Sequence, residues 1–228
     1  MELGSQAEWC SGLMSSLAVV VALGGYWLSG AQRNWDLKAR ERQAAKRVSV
    51  KLFSVLNKTH DLSRHFEAPY VGLPVEGLDS QQRWRTIQPI IGLMDDPGLQ
   101  LDGEEQNMLI DAGAHEFLMQ LMLAVTRYQS TVISMREYTA RYDILHQMMP
   151  AVVEYKQGRA SYHLSAEQVL SILPYSNALE SIVINMMSLI RENVVTCDKL
   201  LLLYNPIMKK YFGDDKFPQL RTPAKQAA

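Results

Sequence analysis

The chain has 228 residues, 47% of them hydrophobic and 21% charged, with a formal net charge of −1. These values exclude a wholly disordered or collagen-like chain, and the near-zero charge gives no global attraction to nucleic acid. Two cysteines, Cys10 and Cys197, cannot build the disulfide framework of a small secreted domain.

Charge is distributed unevenly along the chain. Residues 1–32 carry only Glu2 and Glu8. Residues 33–51 then hold seven basic residues, Arg33, Lys38, Arg40, Arg42, Lys46, Arg47 and Lys51, against Asp36 and Glu41. From Trp9 to Gln32 no residue is charged, and Leu13 to Leu28 shows no polar face. A bilayer core of about 30 Å needs roughly 20 helical residues. Trp9 and Trp27 would stand about 27 Å apart along a helix, with one ring at each headgroup interface.

The sequence therefore predicts a short extracytoplasmic N-terminus (1–8), a transmembrane helix (9–32) and a cytoplasmic helical bundle (33–213). A basic juxtamembrane collar (33–51) opens the bundle, and a disordered tail (214–228) ends the chain. A cleaved signal peptide would carry its basic residues before the apolar run; here they come after it. The same asymmetry predicts an N-terminus outside the cell inner membrane and a cytoplasmic C-terminal domain. Ser11, Ser15, Ala18, Ala22, Gly25 and Ser29 recur at spacings of four and three, a small-residue stripe that suits helix packing in a membrane. Arg33, Lys38, Arg40, Arg42, Lys46 and Arg47 are placed to contact anionic lipid headgroups.

The rest of the chain reads as all-α, with no convincing strand. No Gly or Pro occurs between Ala31 and Glu67, so the first helix should continue unbroken. Its apolar stripe is Ala45, Val48, Leu52, Val55, Thr59, Leu62 and Phe66. Pro69, Gly72, Pro74 and Gly77 predict a loop. A short helix from Asp79 or Ser80 to Met94 is expected next, ending at Asp95-Asp96-Pro97-Gly98. Asp102 and Glu105 have capping-box spacing, and Gly113 interrupts the helix that they would start.

The helix over 116–149 carries the longest stripe: Leu118, Leu121, Val125, Tyr128, Val132, Met135, Thr139, Tyr142, His146 and Met149. Ser165 and Gln168 predict a cap for a short helix ended by Pro174. Asn177 and Glu180 predict a cap for the last long helix, over 178–204. Its stripe is Leu179, Val183, Met186, Ile190, Val194, Cys197, Leu201 and Tyr204. Long helices of equal length with such stripes predict an antiparallel bundle.

Catalytic signatures are missing from the sequence. His115-Glu116-Phe117-Leu118-Met119 has Met where a zinc-hydrolase helix needs a second His. The acids at 95, 96, 102, 104 and 105 lack calcium-loop spacing and suit helix capping instead. The expectation is therefore a membrane-tethered interaction module, a scaffold, adaptor or sensor, with no catalysis, no cofactor and no metal. Its partners would be membrane lipid and a protein or a second copy, not nucleic acid. The alternative is a ligand-binding or enzymatic bundle with its site around Tyr142, Asp143 and His146.

Overall fold

A computed structural model describes residues 6–67, 83–90, 92–93, 95–149, 154–156, 159–161 and 164–213; side chains of 6–18 and of the two short strands are not described. The loop of Pro69 to Gly77, the start of the helix expected near Asp79, Pro150 and the tail 214–228 lie outside these residues. The fold is an all-α helical bundle. Helices α1 (Gln6–Glu67), α2 (Gly103–Asp111), α3 (His115–Met148) and α4 (Ala166–Phe212) succeed one another in order. A small antiparallel hairpin, β1 (Glu154–Lys156) with β2 (Arg159–Ser161), joins α3 to α4 and pairs Tyr155 with Ala160. The chain divides into two compact units, Met1–Lys46 and Arg47–Ala228, and α1 runs from one into the other.

In the second unit the α1 stripe is buried as its spacing requires: Val48, Leu52 and Val55 at 0% exposure, Thr59, Leu62 and Phe66 nearly so. Helix α4 contributes Leu179, Val183, Met186, Ile190, Cys197, Leu201 and Tyr204. Where the stripe predicted Val194, Asn193 is buried instead. Its amide nitrogen donates to Thr59 Oγ1 on α1 (3.0 Å) and to the Ala124 carbonyl on α3 (3.1 Å).

The bundle is not antiparallel throughout. Ser49 bonds Tyr204, while ten residues further along α1, Thr59 bonds Asn193. So α4 runs against α1. It also runs against α3, because Phe117 meets Tyr204 and Arg127 meets Glu192. Helices α1 and α3 are therefore parallel, an arrangement that the long segment between residues 67 and 115 permits and a short connection would not.

Helix α3 keeps to its predicted stripe from Leu118 to Met135 and then leaves it. Tyr138 and Leu145 are buried, whereas Thr139 and Tyr142 are half-buried and His146 is exposed. Tyr128 and His146 are about five whole turns apart and share one angular position on a straight helix, so the cause is not drift of the stripe. Beyond Met135 the buried side itself moves round α3 to Tyr138 and Leu145.

Three local expectations fail for identifiable reasons. Among the described residues of the helix expected up to Met94 there is a single 3-10 turn, Arg83–Arg85, with irregular chain over 86–90. Pro89 removes a helical N–H and pushes Gln88 away from helical angles. Tyr138 takes over, its hydroxyl reaching the carbonyls of Trp84 (2.8 Å) and Ile87 (2.7 Å).

Pro174 does not end a helix, and α4 continues through both Pro174 and Pro206. Each proline faces solvent, as do Leu170 and Leu202 four residues before, so water can take the carbonyl that loses its partner. Asn177 and Glu180 consequently lie inside α4 and form no cap, whereas the boxes at Asp102–Glu105 and Ser165–Gln168 both close.

Replacing Asn193 by Ala should lower unfolding free energy by about 1–3 kcal/mol, because two buried hydrogen bonds that tie α4 to α1 and α3 are lost and a cavity takes the place of the amide. Chemical denaturation measures this. An unchanged midpoint would show that the three helices keep register without the amide.

Candidate functional site

The first unit presents a wide face of apolar side chains to solvent. Val19, Val20, Val21, Leu23, Tyr26, Trp27 and Leu28 are 57–82% exposed, and at 100° per residue their positions span about 220° of α1, the remaining arc holding Ala22, Gly25 and Ser29. The small-residue stripe is described only for Ala22, Gly25 and Ser29, all exposed; the side chains of Ser11, Ser15 and Ala18 lie outside the described residues. Among the described residues, no helix is long and apolar enough to cross a membrane, so the expected transmembrane helix is not supported. The described side chains of this stretch begin at Val19.

The basic collar does not behave as one set. Arg33, Lys38, Arg40, Arg42 and Lys46 are exposed. Arg47 instead binds the acids before and within α2: Glu104 at 2.7 Å, Glu105 at 3.4 Å and Asp102 at 3.7 Å. Its hydrogen bond to Glu104 comes first among the influences that hold the Arg47 guanidinium above its usual value. Arg47 is thus held in an ion-pair cluster.

Lys51 and Lys58 lie four and eleven residues further on, on the same face of α1 as Arg47. Lys51 Nζ donates to Glu105 Oε2 (2.6 Å) and to the Gln100 carbonyl (2.7 Å). Lys58 pairs with Asp96 and sits 5.7 Å above the Tyr128 ring. Arg136 of α3 takes Asp95 at 2.8 Å. The Lys58 hydrogen bond, helped by the Gly98 N–H, holds the Asp96 carboxyl below its ordinary value.

Each acid of the 95–105 turn therefore pairs with a base on α1 or α3. Capping explains the roles of Asp96 and Asp102, but the cross-helix pairing was missed. The available signal was the shared face of Arg47, Lys51 and Lys58.

The alternative site at Tyr142, Asp143 and His146 does not close into an internal polar pocket. Asp143 and His146 are exposed, and Tyr142 is half-buried. Tyr142 stacks at 5.1 Å on His146 and meets Tyr138 at 5.8 Å and Trp84 edge-on at 6.4 Å. The buried carboxylate of this region is Glu180, which sequence reasoning assigned to a cap. Its Oε2 accepts from the Trp84 N–H at 3.1 Å, so it ties the 83–87 turn to α4.

The remaining chemistry-bearing residues are dispersed. His60 Nε2 lies 3.5 Å from Asp198 Oδ1 at the surface, and Met119, at the failed zinc position, is 70% exposed. Among the described residues, no group of three or more His, Cys, Asp or Glu is placed to hold a metal. Cys197 is buried at 0% exposure beside Thr59, and burial pushes its thiol up to about 12. Compared with protein-family models, curated proteins and solved structures, the chain matches none.

Replacing Glu105 by Gln should cost about 1–3 kcal/mol, because Lys51 loses a charged, buried acceptor; urea unfolding at low and high salt measures it, and equal midpoints would remove the cluster from the fold's stability. In a Cys10→Ser background, Cys197 should resist a thiol-reactive chromophore until denaturant is added. Its raised folded value also makes stability fully present below the ordinary thiol value of 9.0 and lost as pH climbs toward about 12. A Cys197→Ala variant should lose less stability than wild type over that range.

Proposed function

We propose that the protein is a membrane-tethered helical interaction module, a scaffold, adaptor or sensor whose bundle binds a protein partner or a second copy. The observation that carries this reading is the wide face of exposed apolar side chains from Val19 to Leu28 on an unbroken helix, with only the small residues Ala22, Gly25 and Ser29 on the remaining arc. A helix with so wide an apolar face is stable only when something apolar covers it. The sequence extends the uncharged run from Trp9 to Gln32, long enough for a bilayer core.

Arg33, Lys38 and Arg40 come directly after this run and are exposed. Each basic side chain near an anionic surface contributes about 1 kcal/mol. In this reading they hold the rest of the chain on the cytoplasmic side, with the N-terminus outside. The stripe Ser11, Ser15, Ala18, Ala22, Gly25 and Ser29 would let a second span approach closely. The module requires no catalytic set, cofactor, metal or nucleic acid.

The full chain expressed in cells should remain in the membrane pellet after an alkaline carbonate wash, and a tag at its N-terminus should be accessible from outside. Replacing both Val20 and Leu23 by Asp should release it, since each charge at the centre of a span costs about 2.5–3.5 kcal/mol. Wild-type protein recovered in the wash supernatant would overturn the reading.

A further inference from the structure

A cavity of about 400 Å³ opens between the start of α3 and the second half of α4, wholly within the 47–228 unit. That volume lies in the range of small-molecule sites. Its floor is apolar, built from Phe117, Leu200, Leu203 and Ile207. Phe117 and Leu200 are buried and belong to the bundle core, so the floor is rigid. Leu203 is 51% exposed and forms part of the wall.

The charges at the rim are not equivalent. With Phe117 set against Tyr204 and α3 running against α4, Gln120 lies near the level of Lys199 at one end of the groove, Glu116 lies between the two lysines, and Lys210 marks the other end. Glu116 is the only carboxylate in the lining among the described residues, against two lysines. The neighbouring cation, Arg127, is already held by Glu192 at 2.8 Å and Thr196 at 3.1 Å. The lining thus carries a net single positive charge along an apolar trough, and only at the Lys199 end does a lysine stand beside an amide, that of Gln120. From Lys199 to Lys210 the trough runs along about 16 Å of helix.

We propose that this cavity binds a single-chain amphiphile with a monoanionic head, of the long-chain carboxylate class. Lys199 and Gln120 take the head, and Phe117, Leu200, Leu203 and Ile207 cover the chain. A neutral amphiphile would leave the net positive charge of the lining unmatched, and a compact polar anion would leave the apolar floor wet. The site does not depend on the N-terminal helix, so it stands or falls separately from membrane tethering.

The test uses the full-length protein and a pair of diazirine-bearing probes of equal length, a long-chain carboxylate and the matching alcohol, with labelled residues mapped by mass spectrometry. The carboxylate should label peptides spanning 112–120 and 199–210, and should do so several-fold more than the alcohol. Lys199→Gln should lower that labelling about ten-fold, the equivalent of one charge-assisted hydrogen bond. Lys210→Gln should leave it unchanged. Leu203→Trp, at a half-exposed position, should fill the trough and abolish labelling while helicity and melting stay as in wild type. Equal labelling by the two probes, an unaffected Lys199→Gln protein, or labelling confined to residues outside the groove would each overturn the assignment.

Discussion

The amide of Asn193 is the polar group on which the packing of the second unit turns. It sits in a largely apolar seam, and its nitrogen finds both acceptors, Thr59 and the Ala124 carbonyl, where α1, α3 and α4 meet at one level. Sliding any helix by one turn would leave a buried donor without an acceptor, which costs more than the hydrogen bonds contribute when made. Apolar stripes alone tolerate such slides, because one Leu fits another's place nearly as well. The Ser49–Tyr204 bond belongs to the same α1–α4 seam. The amide thus selects a register that hydrophobic burial alone would leave loosely defined.

A second constraint is electrostatic and acts at the surface. The turn before α2 has too few apolar residues to hold itself down, with Leu99 its one buried side chain over 95–102. Its acids are taken instead by Arg47, Lys51 and Lys58 on one edge of α1 and by Arg136 on α3. Only Glu105 is fully buried in this cluster, and its carboxylate also closes the α2 capping box through the Asp102 N–H. One side chain therefore starts a helix and fastens it to its neighbour. From Arg47 onward the basic residues of this face of α1 are engaged with the acidic turn.

The groove beside α4 arises from the same packing. Phe117 and Leu200 turn towards the core, while Leu203 and Ile207 are left only partly covered beside them. Gly113, at φ 68°, lets the chain reverse between α2 and α3 where a β-carbon would strain the backbone, and it places the start of α3 at the open end of the trough. Cavity and bundle core are thus two sides of one helix pair.

Periodicity and caps by themselves determined the long helices, the α1 stripe, the α4 stripe except at Val194, and the two capping boxes at Asp102 and Ser165, because these depend on neighbours three or four residues away. Local rules misjudged Pro174 and Asn177–Glu180, since a proline breaks a helix only if the freed carbonyl finds no water, and solvent exposure is a property of the whole fold. They misjudged the far end of α3 as well, where the 83–87 segment packs on Tyr138 and the buried side moves away from His146. The parallel course of α1 and α3, the pairing of the acidic turn with three bases on α1, the burial of Glu180 beneath Trp84 and the groove at Lys199 were decided only by tertiary structure. Each joins residues tens of positions apart, and at that range charge and hydropathy along a chain do not specify which partner is met.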